Sequence, residues 1–260
     1  MSAPAALRVF GAAVMFLTRI PVPRALGYDP GDLARSTVWF PVVGAIVGGV
    51  GALALWGALH LWPALVAAAL ATAATVWLTG AFHEDALADS FDGFGGGYGR
   101  EQVLAIMKDS RVGSYALVGV ALALAIRVAA LATLAERDVG LAGRALVAAH
   151  VLGRWSSLPL IRWLPYVQQD ASKSRPFAAS VTDARLLAGT ALALAIVGAL
   201  LLPLGAPRAL AVLAAALLVT ALGARYFRRT LGGMTGDCLG AANQLVELVT
   251  YLVLAARWTA

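Results

Sequence analysis

The chain has 260 residues, of which 60% are hydrophobic and 13% charged, and its mean hydropathy is +0.80. About a quarter of the residues in a soluble domain are charged, so this composition excludes a soluble fold and points to an integral membrane protein. The net charge of +6 and pI near 10.0 would indicate nucleic acid in a soluble chain, but in a membrane chain basic residues set topology, and no nucleic-acid partner is expected.

In chain order, the first apolar stretch runs from Leu7 to Ile20, is interrupted by Arg8 and is closed by Arg19 before Pro21. It is too short for a span and reads as an interfacial or re-entrant helix. A cleaved leader is the competing reading, but no small-residue cleavage site follows. Seven longer apolar runs come next, at about 37–59, 64–82, 112–135, 139–160, 185–203, 208–224 and 238–256. They predict an all-α, polytopic transmembrane bundle of about seven spans plus interfacial helices, a single domain over 1–260. Two links, His60 to Pro63 and Pro203 to Pro207, are short and proline-bounded, as between antiparallel neighbours. Gly44, Gly48 and Gly51 recur at near-helical spacing and favour close helix packing. No internal repeat indicates the inverted halves of a transporter.

Of the 20 Lys and Arg residues, Arg127, Arg144 and Arg154 fall within spans, and only Arg137, Arg208 and Arg257 fall outside when the N-terminus is placed in the cytoplasm. The other fourteen are then cytoplasmic. The same placement sends three substantial loops, about 83–111, 161–184 and 225–237, to the cytoplasmic face.

The first of these loops begins His83-Glu-Asp-Ala-Leu-Ala-Asp-Ser-Phe-Asp92, four acids in ten positions, with no Lys or Arg from 83 to 99. In a helix Asp85, Asp89 and Asp92 stand at i, i+4 and i+7, on one face, where they could share a divalent cation, while Glu84 points elsewhere. Gly93 to Gly99 follow as a glycine-rich loop whose amides, including those of Gly95 and Gly96, could approach a phosphate. Lys108-Asp109-Ser110-Arg111 closes the loop. The third loop supplies complementary groups: Arg225, Arg228 and Arg229 suit a phosphate ester, and Gly232-Gly-Met-Thr-Gly-Asp237 adds Thr235 and a further acid. Counting along straight helices puts Glu247 about 14 Å deep, Arg154 about 9 Å and Arg127 about 22 Å, so Arg154 is the expected partner of Glu247. His60 and His150 read as isolated structural residues. His83, two residues before Asp85, is a candidate base because imidazole titrates near neutrality.

Four segments, Phe16-Leu-Thr-Arg-Ile-Pro-Val-Pro23, Gly80 to Phe94, Met107-Lys-Asp-Ser-Arg-Val-Gly113 and Gly232-Gly-Met-Thr-Gly-Asp-Cys-Leu-Gly-Ala241, closely resemble the cobalamin synthase family. The resemblance runs from about residue 8 to the C-terminus; Ala86 departs from it, standing where many members carry glycine. It implies the last assembly step of coenzyme B12: a ribose hydroxyl of α-ribazole, or of its 5′-phosphate, attacks the corrinoid-side phosphorus of adenosylcobinamide-GDP and releases GMP. It further implies Mg2+ as cofactor; with the charge count, the expected location is the cytoplasmic (inner) membrane, multi-pass, with the active site facing the cytoplasm, and a homo-oligomer is compatible with the chain.

On this reading Asp85, Asp89 and Asp92 are the metal-binding and catalytic core, with Asp109 or Asp237 completing the shell. His83 or one of the carboxylates takes the proton. Gly95, Gly96, Arg111, Arg228, Arg229 and Thr235 hold substrate. Trp39, Phe40, Trp155 and Trp163 could face the corrin ring or anchor the bundle at the boundary. Two other functions compete. A CDP-alcohol-type phosphotransferase would carry a longer Asp-Gly-Ala-Arg pattern, whereas Asp92-Gly93 is followed by Phe94-Gly95. A cation transporter would place acids near mid-membrane on several helices, whereas only Glu247 qualifies.

Overall fold

A proline or a capping side chain marks the start of most of the long helices in the computed structural model, which describes residues 4–27, 29, 31–167 and 180–258. The helices are α1 (Ala5–Leu17), α2 (Asp32–Arg35), α3 (Phe40–Ala58), α4 (Ala64–Thr79), α5 (Phe82–Gly96), α6 (Arg100–Met107), α7 (Ser114–Arg137), α8 (Val139–Trp163), α9 (Asp183–Leu201), α10 (Ala206–Leu231) and α11 (Gly236–Ala255). Pro41 and Pro207 occupy the first turns of α3 and α10, where a missing N–H costs nothing. Asp138, Thr182 and Thr235 cap α8, α9 and α11 through their side-chain oxygens.

The all-α expectation holds: no strand forms among the described residues. The expected count of about seven spans is approximate. Five helices or joined helix runs are long and apolar enough to cross a membrane, and the bent pair α4–α5 makes a sixth if counted as one. α8, at the span expected over 139–160, does not meet that criterion of apolarity. α8 is 25 residues long, but Arg144, His150 and Arg154 lower its hydropathy, and it is the buried centre of the bundle rather than a lipid-facing wall: from Ala148 to Ile161 every residue is buried. The expected cytoplasmic loop at 83–111 is mostly helical, as α5 and α6. Of the loop at 161–184, residues 168–179 lie outside the described residues.

α8 packs chiefly against α3 and α11. Glycine makes the first approach possible. A Cβ on Gly44 would lie 2.3 Å from the His150 carbonyl oxygen, and one on Gly48 would lie 2.5 Å from the Val147 Cα. On the other side of α11, a Cβ on Gly240 would lie 2.3 Å from the Ala86 Cβ, so α5 rides directly on α11.

Candidate active site

The site begins where α4 ends. Gly80 takes the left-handed conformation (φ 71°) that closes the helix, and a Cβ there would also meet the Arg19 Nε at 2.4 Å. Ala81 follows with φ 57°, a costly conformation for a residue with a Cβ. Together they turn the chain by 92°, out of the axis of α4 and along α11.

On α5 the acids divide as the helical face predicts. Asp85 is exposed and Asp89 half-buried, and the carboxylate of Asp237, in the first turn of α11, interacts with both. Thr235 sets that turn: its Oγ1 accepts the Cys238 N–H at 3.2 Å and donates toward Asp237 Oδ2 at 3.4 Å. None of Asp85, Asp89 and Asp237 is ion-paired with a Lys or Arg among the described residues. Asp92 shares the face but is engaged otherwise: its carboxylate accepts the N–H groups of Gly113, at 2.6 Å, and Ala116, at 2.8 Å, and so caps α7.

Asp109 lies apart from these four, paired with the exposed Arg111 at 2.5 Å. The hydrogen bond and charge of Arg111 hold its carboxyl down at about 2. Among the described residues no three His, Cys, Asp or Glu side chains are grouped closely enough to hold a metal ion by themselves.

The phosphate-binding candidates have local roles as well. α5 continues through Gly96, so Gly93 to Gly96 form helix rather than loop. A Cβ on Gly95 would lie 2.6 Å from the Tyr115 ring, so glycine there admits an aromatic face, while Gly96 has only ordinary contacts around it. Gly233 is demanded by packing: its Cβ would fall 2.1 Å from the Pro165 carbonyl oxygen, where the bonds Met234 N–H to Pro165 and Val167 N–H to Met234 tie the α10–α11 turn to the segment after α8. Arg228 donates to the Trp163 carbonyl at 2.7 Å, and Arg229 is exposed with no ion pair among the described residues.

Beneath the acid face lies a buried charge network. The expected Arg154–Glu247 pair is present, and the network is larger than expected. Arg127 reaches Glu247 at 3.3 Å and Glu84 at 3.6 Å, and it donates to Thr75 at 3.1 Å. Gln244 donates to Glu84 at 3.2 Å. His150 is not isolated: its Nδ1 lies 2.9 Å from Glu247 and its Nε2 lies 3.0 Å from Arg127. It stands one turn before Arg154, so both project from the α8 face that meets α11. Two Arg and two Glu residues neutralise one another, the arrangement that makes buried charges tolerable. Counting depth along separate helices missed Arg127 because its long side chain extends well beyond its Cα, and missed Glu84 because the 92° turn that brings it there has no sequence period. His83 is buried and within electrostatic reach of this network, off the Asp85–Asp89 face.

The aromatic residues sort differently from expectation. Trp155 is buried and donates to Thr190 at 2.9 Å, Phe40 is buried and stacks on Phe16, Trp39 packs edge-on to Phe10, and Trp163 is exposed. A groove of 1120 Å3 opens instead between α5, α7, α10 and α11, bordered by Phe91, Phe94, Tyr115 and Tyr226. Sequence reasoning passed over these rings because their convergence depends on how four helices pack.

A protein-family model described as cobalamin-5-phosphate synthase matches residues 9–255. Curated proteins named adenosylcobinamide-GDP ribazoletransferase are similar over nearly their whole length. The one from Leptothrix cholodnii is 48% identical over 96% of this chain and 96% of its own, and that from Shewanella amazonensis is 43% identical over 97% and 96%. The one from Ralstonia nicotianae is 44% identical over 98% and 96%. No solved structure matches the chain.

Proposed function

The chain belongs to the cobalamin-5-phosphate synthase family, and we propose that, like the relatives named for that activity, it is an adenosylcobinamide-GDP ribazoletransferase whose chemistry runs on the α5–α11 carboxylate face. It is a multi-pass membrane enzyme of cobalamin biosynthesis. A ribose hydroxyl of α-ribazole, or of its 5′-phosphate, attacks the corrinoid-side phosphorus of adenosylcobinamide-GDP. The new P–O bond replaces the diphosphate bridge bond, GMP leaves, and the hydroxyl proton passes to a base.

The observation that carries this reading is the convergence of Asp85, Asp89 and Asp237 from two helices with no basic partner among the described residues. Like-charged carboxylates held together in this way fit a divalent cation. Because the three do not close a shell alone, the fit is to an ion that takes its remaining ligands from a phosphorylated substrate, as Mg2+ commonly does. Mg2+ held by these residues would offset the charge that develops on the diphosphate oxygens as the bridge breaks. Thr235 orients Asp237, and Asp92, by capping α7, holds α5 against the start of that helix. The exposed guanidinium of Arg229 is available to the departing phosphate. With His83 buried on another face, a carboxylate of the cluster is the group placed to accept the hydroxyl proton. The neighbouring aromatic groove offers an apolar surface to a bulky substrate. We place this face in the cytoplasm from the distribution of Lys and Arg, and the protein in the inner membrane because its spans are helices rather than barrel strands.

The test supplies purified protein, in detergent or liposomes, with adenosylcobinamide-GDP and α-ribazole and follows GMP release with and without Mg2+. GMP release that requires both substrates and Mg2+ is expected. Release without α-ribazole, or turnover unaffected by chelation, would refute the proposed reaction or its metal.

A further inference from the structure

At the end of the bundle opposite the carboxylate face, α7 stops, α8 and α10 start, and α11 gives way to the last described residues. Asp237 lies in the first turn of α11 and Leu254 in its last; Asp92 caps the start of α7, whose last residue is Arg137. These termini enclose a pocket of 580 Å3 lined by Arg137, Arg208 and Arg257 together with Leu141, Leu254 and Trp258.

The three arginines are the same three that the charge count leaves on the outer side. They converge on one pocket. Arg137 donates to the Ala256 carbonyl at 3.0 Å, and the Arg208 guanidinium lies 6.0 Å from the Trp258 ring centroid. Neither contact neutralises a charge. Among the described residues none of the three is paired with a carboxylate. The nearest acids in sequence do not supply one: Asp138 caps α8 by accepting the Leu141 N–H at 2.5 Å, and Glu136 is not part of the lining.

Three cations around one cavity repel one another unless an anion sits among them. Guanidinium groups match phosphate oxygens in geometry as well as charge. The remaining wall is apolar and carries a tryptophan, the residue that favours the headgroup level of a bilayer. We propose that this pocket is a phosphate-binding site, suited to the headgroup of an anionic phospholipid at the end of the bundle remote from catalysis.

The test is native mass spectrometry of the full-length protein in mild detergent, with phosphatidylglycerol, phosphatidylcholine or inorganic phosphate added separately and in competition. Phosphatidylglycerol should be retained in preference to phosphatidylcholine. Arg257→Gln should weaken that retention about threefold, and the triple replacement of Arg137, Arg208 and Arg257 by Gln about tenfold or more. Arg257 makes no hydrogen bond, ion pair or ring contact within the described chain, so its single variant keeps the test valid if the triple variant fails to fold. GMP release by Arg257→Gln in detergent should be unchanged. Inorganic phosphate that binds with the same arginine dependence and displaces the lipid would support the phosphate chemistry while identifying a soluble source; lipid that withstands it would identify the headgroup. Equal retention of the two lipids with no arginine-dependent binding of phosphate, or binding unaffected by Arg257→Gln, would overturn the proposal.

Discussion

Asp89 and Glu84 stand five residues apart on one helix and face different problems. Asp89 belongs to a carboxylate group without basic partners among the described residues, and Glu84 to a buried network in which Arg127 balances it. Replacing Asp85, Asp89 or Asp237 by Asn keeps shape and removes charge, and should lower GMP release ~100-fold or more and weaken its Mg2+ dependence, while the protein remains folded. Glu84→Gln should instead lower thermal stability, with the Mg2+ dependence of turnover retained; steady-state kinetics at varied Mg2+ beside a melting series distinguishes the two. Within the same network, Arg154→Met or Glu247→Leu alone leaves the partner charge buried and should cost about 3–5 kcal/mol. The double variant should recover part of that loss. Strict additivity in denaturation would show that the two side chains do not act as a pair.

Among the helices, the junction of α5 with α7 has a residue with two candidate roles. Asp92 is on the acid face, yet both its oxygens receive α7 amides. Asp92→Ala removes the cap and should destabilise the protein by about 1 kcal/mol, whereas Asn keeps one of the two acceptor oxygens and should restore part of that stability. If Asp92→Asn restores part of the stability but none of the turnover, the charge serves the site as well as the helix. The α3–α8 seam gives a second expectation. Gly48→Ala would drive a methyl group into the Val147 backbone, and the resulting overpacking should cost about 1–3 kcal/mol. Gly49, one position on, has nothing within reach of an added Cβ, so Gly49→Ala should leave the melting temperature nearly unchanged.

For the molecule as a whole, the two ends differ in charge. Carboxylates gather where α11 starts, and where it ends arginines without an ion-pair partner among the described residues. With the carboxylate end in the cytoplasm, a cysteine at Tyr98, which is 90% exposed, should be labelled only from the cytoplasmic side, and one at Leu61, which is 73% exposed, only from the outside. The native Cys238 is fully buried and should stay silent under a membrane-impermeant maleimide. Labelling of both positions from one side would contradict the topology and remove the basis for a cytoplasmic active site.

By itself the sequence determined what depends on local composition and spacing. Low charge and long apolar runs require a membrane bundle, because unpaired backbone groups cannot sit in lipid. The i, i+4, i+7 spacing of Asp85, Asp89 and Asp92 puts them on one helical face, and the pairing of Arg154 with Glu247 follows from comparable depth. Only the tertiary structure decided which acids meet: Asp237 joins Asp85 and Asp89 because Gly240 lets α11 approach Ala86, whereas Asp109 pairs with Arg111. It also decided that α8 is interior, that Glu84 and Arg127 share Glu247's network, and that three arginines distant in sequence line one pocket. These outcomes depend on a 92° turn at Gly80 and Ala81 and on backbone approaches of glycine-bearing helices. Neither has a period that can be read along the chain, because each is fixed by which surfaces fit once several helices have packed together.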